Sequence, residues 1–297
     1  MSPLHPLLSF LQRNLSAVCR PLQTAFAAVE YRLLDFWWAM KGYKKPTAED
    51  AALVAREANF IFKSFERHRQ ARELVRSIRK YYPGARIVIA DDSSKPLVID
   101  PEKGNDVTVI QLPFNSGLSV GLNKALAEVR TPFMVRMDDD ELLTRRVNIA
   151  EEIRFLHSHP EVDIVGLPCI DAMKSLSLKM SISRYREFDM SYAPLPLKVP
   201  HGTKIDENHI VFGKVHNIFL ARTDSVRKVG WDDNIRMIDH HDFFFRAAGV
   251  LVSVISMNSV VFHNHNYFSP TYNTYRADWQ GDAIYIQATR KIRRKTE

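Results

Sequence analysis

The sequence predicts an α/β domain with a mainly parallel sheet, preceded by amphipathic helices. Short apolar, β-branched runs alternate with segments of helical periodicity, and Gly or Pro turns separate them. Two of the apolar runs end in carboxylate clusters, and in open α/β sheets ligands bind beyond the carboxyl ends of the strands. The 297 residues are 45% hydrophobic and 25% charged, which excludes collagen-like, low-complexity and wholly disordered chains.

Residues 1–45 have apolar side chains at helical spacings, among them Leu22, Phe26, Val29 and Leu33, and Pro21 is expected to divide them into two helices. Such a pattern suits a helix in a membrane interface or a helix packed on the protein body. Gly42–Pro46 reads as a linker. The domain that follows is expected over 51–289, with halves 51–167 and 168–289. Strands are expected at Asn59–Lys63, Arg86–Ala90, Val107–Leu112, Pro132–Met137, Asp163–Leu167 and Val215–Ala221, with more inside Val250–Phe262. Helices are expected at Arg67–Tyr81, Ser119–Val129, Ile149–His157, Ser225–Val229 and Asp242–Ala248. Residues 168–212 have no clear period.

The net charge of +7 is uneven. Residues 1–50 hold +2, 290–297 hold +4, and the long middle only +1. A nucleic-acid binder would carry a basic stripe across its domain, so basic ends fit an anionic membrane surface or solvated tails better. Cys19 and Cys169 can build neither a disulfide framework nor a cysteine zinc site. A signal peptide is not expected, nor a membrane-spanning stretch.

Five clusters could carry chemistry. Asp138-Asp139-Asp140 follows an apolar strand, and hard oxygen donors there suit Mg²⁺ or Mn²⁺. Strand alternation would put Asp138 and Asp140 on one side. Asp91-Asp92-Ser93 ends another strand and suits a ribose or uracil contact, or an Asx turn. Asn115-Ser116-Gly117, with Gly121 and Asn123, is a small-residue loop entering a helix, without a Walker or dinucleotide spacing. Asp239-His240-His241-Asp242 could supply a general base, or cap the helix it opens. His263 and His265, after the last apolar strand, could add a nitrogen ligand.

Taken together, Asn115, Gly117, Asn123 and Asp138-x-Asp140 resemble the nucleotide-sugar half of a family 2 glycosyltransferase with the GT-A fold, a Rossmann-like sheet with helices on both faces. Ser77-Ile-Arg-Lys-Tyr-Tyr-Pro83, the stretch Ile87–Pro96, Asn217–Asp224, Val226–Gly230, His240–Phe244 and Thr271–Arg276 resemble β-1,4-N-acetylgalactosaminyltransferases of the ganglioside-synthase type. The resemblance implies an inverting transferase that moves a sugar, N-acetylgalactosamine first, from a UDP-sugar to a glycan or glycolipid hydroxyl. It implies Mn²⁺ or Mg²⁺ on Asp138 and Asp140, with His263 near the metal and His265 as fallback. Phe65, Arg67, Asp91, Asp92, Asn115, Gly117, Asn123 and Asp139 would line the UDP-sugar site, and Tyr275 and Arg276 would close over the diphosphate. Family 2 enzymes often carry Glu-Asp where this chain has Asp239-His240, but the resemblance to the ganglioside-synthase type implies a His at this place, so His240 leads as the base and Asp242 is its rival. The expected location is cytoplasmic, at the inner face of a membrane where lipid-linked or capsular glycans grow. A sugar-nucleotide nucleotidyltransferase and a non-catalytic glycan-binding scaffold are the rival readings.

Overall fold

The computed structural model describes residues 16–100, 106–172, 195–265, 275 and 279–290. Helix α1 (Ser16–Met40) runs through Pro21 without dividing. A proline inside a helix removes one backbone hydrogen bond, and here the following turns are held by packing, with Ala27, Leu34 and Trp38 buried. Residues 1–15, the first part of the expected helical segment, lie outside the described residues. After the turn at 41–42 comes α2 (Ala48–Glu57), a helix not among the expected elements. Its signal is local: Thr47 accepts from the Asp50 N–H while the Asp50 carboxylate accepts from the Thr47 N–H, a reciprocal capping box.

The core of the fold alternates as expected through β1 (Ala58–Ser64), α3 (His68–Tyr81), β2 (Arg86–Asp91), β3 (Val107–Gln111), α4 (Leu118–Glu128) and β4 (Phe133–Arg136). It continues through β5 (Glu141–Leu142), α5 (Ile149–Ser158), β6 (Ile164–Gly166), β7 (Cys169–Asp171), β8 (His209–Val211) and β9 (Phe219–Arg222). The last elements are α6 (Thr223–Val229), α7 (Asp239–Ala247), β10 (Ser253–Ser256), β11 (Val261–His263) and α8 (Gln280–Thr289). Residues 173–194, inside the irregular stretch, are among those not described.

One eight-stranded sheet has the order β3-β2-β1-β4-β9-β6-β10-β8. Its β1–β4 part is parallel, but β9 runs antiparallel to both β4 and β6, and β8 antiparallel to β10. The sheet is therefore mixed but mainly parallel, with only β8 and β9 running against the other six strands, and it continues across both expected halves of the domain. The antiparallel strand was hidden because Val215–Ile218 reads as strand by composition, yet only Phe219–Arg222 pairs. Residues 250–262 likewise divide, with β10 in the large sheet and β11 in a small sheet of order β5-β11-β7.

Helices cover both faces of the large sheet. Phe60 and Phe62 of β1, Ile87 and Ile89 of β2 and Val135 of β4 pack with α2, α3 and α5. The alternate residues Ile61, Val88, Ala90 and Met134 pack with α4 and α7 on the other side. Period-2 side chains buried on both faces explain why these strands read as continuous apolar runs. A third cluster joins the inner side of α1 to the small sheet through Phe262 and Ile170.

Gly166 in β6 marks the tightest packing next to the site. A Cβ there would lie 2.4 Å from the Val215 Cβ. Gly166→Ala is expected to destabilise the fold by about 1–3 kcal/mol, the usual cost of forcing extra atoms into a packed core. Urea unfolding would measure it, and Gly166→Ala/Val215→Gly, which removes the Val215 Cβ, is expected to recover part of the loss.

Candidate active site

A cavity of about 700 Å³ opens where β1 and β4 end. The segment after β1 gives it Lys63, Phe65 and Arg67, and the loop before α4 gives Asn115 and Gly117. The turn after β4 adds Asp138, Asp139 and Asp140. The start of α7 adds Asp239, His240 and His241, the segment at and after β11 adds His263 and His265, and Tyr275 completes the wall. Arg276 lies outside the described residues.

The three aspartates do not behave as a strand. β4 ends at Arg136, and the chain turns so that the Glu141 N–H donates to the Asp138 carbonyl at 3.2 Å. The outer carboxylates therefore part company. Asp138 receives Arg136 at 2.9 Å and the Asn217 amide at 3.1 Å. Asp140 instead faces Arg67 Nη2 at 2.7 Å, His263 Nε2 at 3.5 Å and His265 Nδ1 at 3.8 Å, all toward the same oxygen. Arg67 also reaches Asp139 at 3.0 Å.

This geometry sets the charges. Burial pushes Asp139 up against the pull of Arg67, and repulsion from Asp140 and Asp138 adds to the rise. Burial opposes the charge on Asp140 as well, but Arg67 and His263 hold it well below the usual carboxylate range. His263 is desolvated, yet Asp140 and Asp171 keep its pKa well above that of a free imidazole. Glu141, whose carboxylate accepts from the Asp138 N–H at 2.7 Å, is driven up by burial and by Asp138.

The small sheet delivers the histidine. β11 pairs His263 with Glu141 on one side and Asp171 on the other. Its Nδ1–H donates to Asp171 at 2.9 Å, which aims Nε2 at Asp140. A carboxylate behind an imidazole is the usual orienting device of metal-ligating histidines. The ligand atoms of Asp140, His263 and His265 lie within 4.8 Å of one another. One carboxylate and two imidazoles fit a borderline divalent ion such as Mn²⁺ better than Mg²⁺, which prefers oxygen. Asp138, expected as a ligand, is outside this group, and His265, the fallback, is inside it.

Several other expected contacts are displaced by one layer. Asp91 is fully buried, and its carboxylate accepts from Ser93 Oγ at 2.6 Å and the Leu97 N–H at 2.8 Å. The Asx-type reading holds there, and Asp91 does not line the cavity. Asp92 also sits behind the wall, bound to Lys63 at 2.7 Å and to the Gly117 N–H at 3.2 Å. Burial shifts both members of that ion pair toward their neutral forms. Asn123 bonds Trp231 and Asp233, so it fastens α4 to the loop before α7 instead of facing a ligand. Gly117 has φ +102° with Arg236 at its Cα, a position where a side chain would be strained.

Phe65 meets the expectation that it borders the cavity. Its ring lies 5.1 Å from Tyr275 and 5.5 Å from Phe114, with Lys63 Nζ 4.7 Å from its centroid. This aromatic group offers a stacking surface for a planar ring.

At α7 the rival bases separate. Asp242 is buried outside the cavity, with one oxygen on Arg246 and the other on Arg290, each at 2.7 Å. Those bonds also place Arg290, assigned to a basic tail, against the body; residues 291–297 are not described. His240 lines the cavity, and its Nε2–H donates to the Val215 carbonyl at 2.6 Å. That bond makes Nδ1 the lone-pair nitrogen of the neutral ring. Burial, then Lys214 and Arg136, keep its pKa well below the usual value. Neither Asp239 nor Asp242 caps α7. Instead Asp282 of α8 accepts from the N–H groups of Arg236, Met237 and Ile238. Asp239 is buried against Arg136 at 3.7 Å and lines the cavity.

The sequence analysis missed Lys63, Arg136 and Asn217 as site residues. For Arg136 the available signal was a lone cation inside an apolar strand that ends at a carboxylate cluster, and for Lys63 only a lone cation near the end of an apolar strand.

Fold and cavity together define the GT-A class of glycosyltransferase folds. The chain belongs to glycosyl transferase family 2, whose profile matches residues 61–223. It is 34% identical over 199 residues to β-1,4 N-acetylgalactosaminyltransferase 1 of Rattus norvegicus, covering 64% of this chain and 35% of that protein. It is 29% identical over 232 residues to β-1,4 N-acetylgalactosaminyltransferase 2 of Mus musculus, covering 73% of this chain and 42% of that one. The chain thus spans about a third to two fifths of the length of these relatives. Among solved structures, S. aureus TarS in complex with UDP-GlcNAc is similar at TM-score 0.52 and 11% identity, over 78% of this chain and 74% of that one. The mannosyltransferase PcManGT from Pyrobaculum calidifontis, in complex with GDP-Man and Mn²⁺, is similar at TM-score 0.51 and 17% identity, over 90% and 76%.

Lys214 gives the site a pH signature. Its Nζ meets His241 Nδ1 at 3.0 Å, and burial lowers its pKa to about 7. Between about pH 7 and the ordinary lysine value, the unfolded chain binds a proton that the folded chain does not, so stability rises with pH there. Lys214→Met is expected to flatten that rise, as read from denaturant midpoints across the window.

Proposed function

We propose that this chain transfers a sugar from a UDP-sugar to a hydroxyl of a glycan or glycolipid, with inversion to a β-linkage and N-acetylgalactosamine as the first candidate sugar. The observation that carries the proposal is the single cavity that joins an acidic and imidazole cluster, an aromatic surface and the His240 end of α7. Membership of family 2 and the similarity to N-acetylgalactosaminyltransferases support it.

In this reading the uracil ring stacks at Phe65 and Tyr275, beside Lys63. Arg67 and the Asp138–Asp140 turn hold the diphosphate end. A divalent ion on Asp140, His263 and His265 would compensate the charge that develops on the leaving group. His240 Nδ1 accepts the proton of the acceptor hydroxyl while its oxygen forms the bond to the anomeric carbon. The bond from that carbon to the diphosphate oxygen breaks, and UDP departs with the electron pair. Burial holds His240 in the neutral form that can accept a proton, and the same burial weakens it as a base until a bound donor adds negative charge nearby. Holding nucleophile and anomeric carbon in line is the cavity's second contribution, because orientation alone removes several kcal/mol from a barrier.

Hydrolysis of a panel of UDP-sugars with Mn²⁺, with and without EDTA, tests the reading. The expected result is chelator-sensitive release of UDP from one sugar. Asp140→Ala is expected to abolish that release and weaken UDP binding in calorimetry. His240→Ala is expected to lower kcat by about 10²–10⁴ while sparing UDP affinity, the range of a lost general base. Asp242→Ala is expected to lower the melting temperature instead, because it strands Arg246 and Arg290. A loss of kcat confined to Asp242→Ala would overturn the assignment of the base.

A further inference from the structure

Helix α1 presents an apolar stripe to solvent. Leu22, Phe26, Val29, Leu33, Phe36 and Met40 follow one another at spacings of four, three, four, three and four, and each is 49–72% exposed. Contiguous apolar surface of this kind on a folded protein marks an interaction site.

The stripe does not come from a helix loosely placed on the body. The inner side is fixed: Gln23 donates to the His265 carbonyl at 2.6 Å, and Tyr31 to the Leu143 carbonyl at 2.7 Å. Asp35 accepts from Tyr81, Lys80 and the Arg145 N–H. Both carboxylates of the described helix, Glu30 and Asp35, are buried on that inner side. Arg20 turns toward the body beside Arg69 and Glu73, and the charges left on the outer side are Arg32 at the flank of the stripe, followed by Lys41, Lys44 and Lys45. Polar and acidic groups thus face the protein, and apolar and cationic groups face out.

We propose that the outer face of α1 docks in the plane of an anionic lipid surface. The apolar stripe would enter the acyl boundary while the exposed cations meet the headgroups, as interfacial helices do. Charge separates this occupant from a second copy of the chain. A symmetric helix pair across this stripe would set Arg32, at its flank and near its middle, beside its own copy with no carboxylate to answer it, whereas helix pairs of this spacing ordinarily carry acidic partners at the flanks. Among the described residues no helix is long and apolar enough to cross a membrane, so the contact is interfacial. Docking rests on the helix alone and stands whatever the cavity catalyses. Its consequence for the site is position, because the Gln23 bond ties the helix to the His265 end of the cavity.

Flotation of the full chain with vesicles tests the proposal. The chain is expected to float with phosphatidylcholine–phosphatidylglycerol vesicles at least about tenfold more than with phosphatidylcholine alone, since exposed basic residues are drawn to an anionic surface. Phe26→Glu/Leu33→Glu is expected to remain unbound with an unchanged melting temperature, because both side chains are exposed. Arg32→Glu/Lys44→Glu is expected to lose the preference for the anionic vesicles. Absence of flotation, equal flotation on both vesicle types, or flotation of Phe26→Glu/Leu33→Glu at the wild-type level would overturn the proposal. So would a dimer in light scattering that this same double variant returns to monomer.

Discussion

Carboxylates can be gathered at buried strand ends only if cations are buried with them, and in this protein Arg67 is the cation on which the gathering depends. Its two terminal nitrogens hold Asp139 and Asp140, and all three side chains are buried. Removing one partner from such a network typically costs about 3–5 kcal/mol, because the remaining charge stays in low dielectric. Lys63 with Asp92 and Arg136 with Asp138 repeat the device on either side. The turn after β4, the loop before α4 and the aromatic wall all take their positions from these three pairs. Arg67 reaches the carboxylate oxygen toward which both His263 and His265 point, so the arginine occupies in part the electrostatic role that a divalent ion would take.

The fold was legible wherever periodicity decides it. Strands β1, β2 and β4 are apolar at every second position on both faces, and helices α3, α4 and α5 follow them at the expected intervals. The mixed direction of the sheet was not legible. Direction depends on which segment inserts between β4 and β6, and β9 has no residue that announces it. The helix α2 was legible from Thr47 and Asp50, but only through capping and not through an apolar face.

The site divides in the same way. The segments that line the cavity were identified from their residue types: the acidic turn, the Asn115–Gly117 loop, the Asp239–His241 stretch and the late histidines. Which atom faces inward was not. Asp91, Asp92, Asn123 and Asp242 each bond a neighbouring segment and brace the wall from behind, a role that adjacent sequence positions cannot distinguish from lining it. Strand alternation also failed at Asp138–Asp140, because the strand had already ended at Arg136. His263 reached Asp140 through pairing in a second sheet, a long-range contact outside any local pattern.

Helix α8 adds a consequence for biosynthesis. Asp282 at its start binds three successive N–H groups ahead of α7, and Arg290 just beyond its end binds Asp232 and Asp242. The loop and helix that carry His240 are thus clamped by residues made some forty to fifty positions later. Domains begin to fold while the chain is still being synthesised. The sheet can assemble on the ribosome with its acidic turn already compensated by Arg67, while the His240 wall waits for the segment around residue 290. A nascent chain would then hold its sheet and acidic turn before the wall that carries His240 is clamped in place.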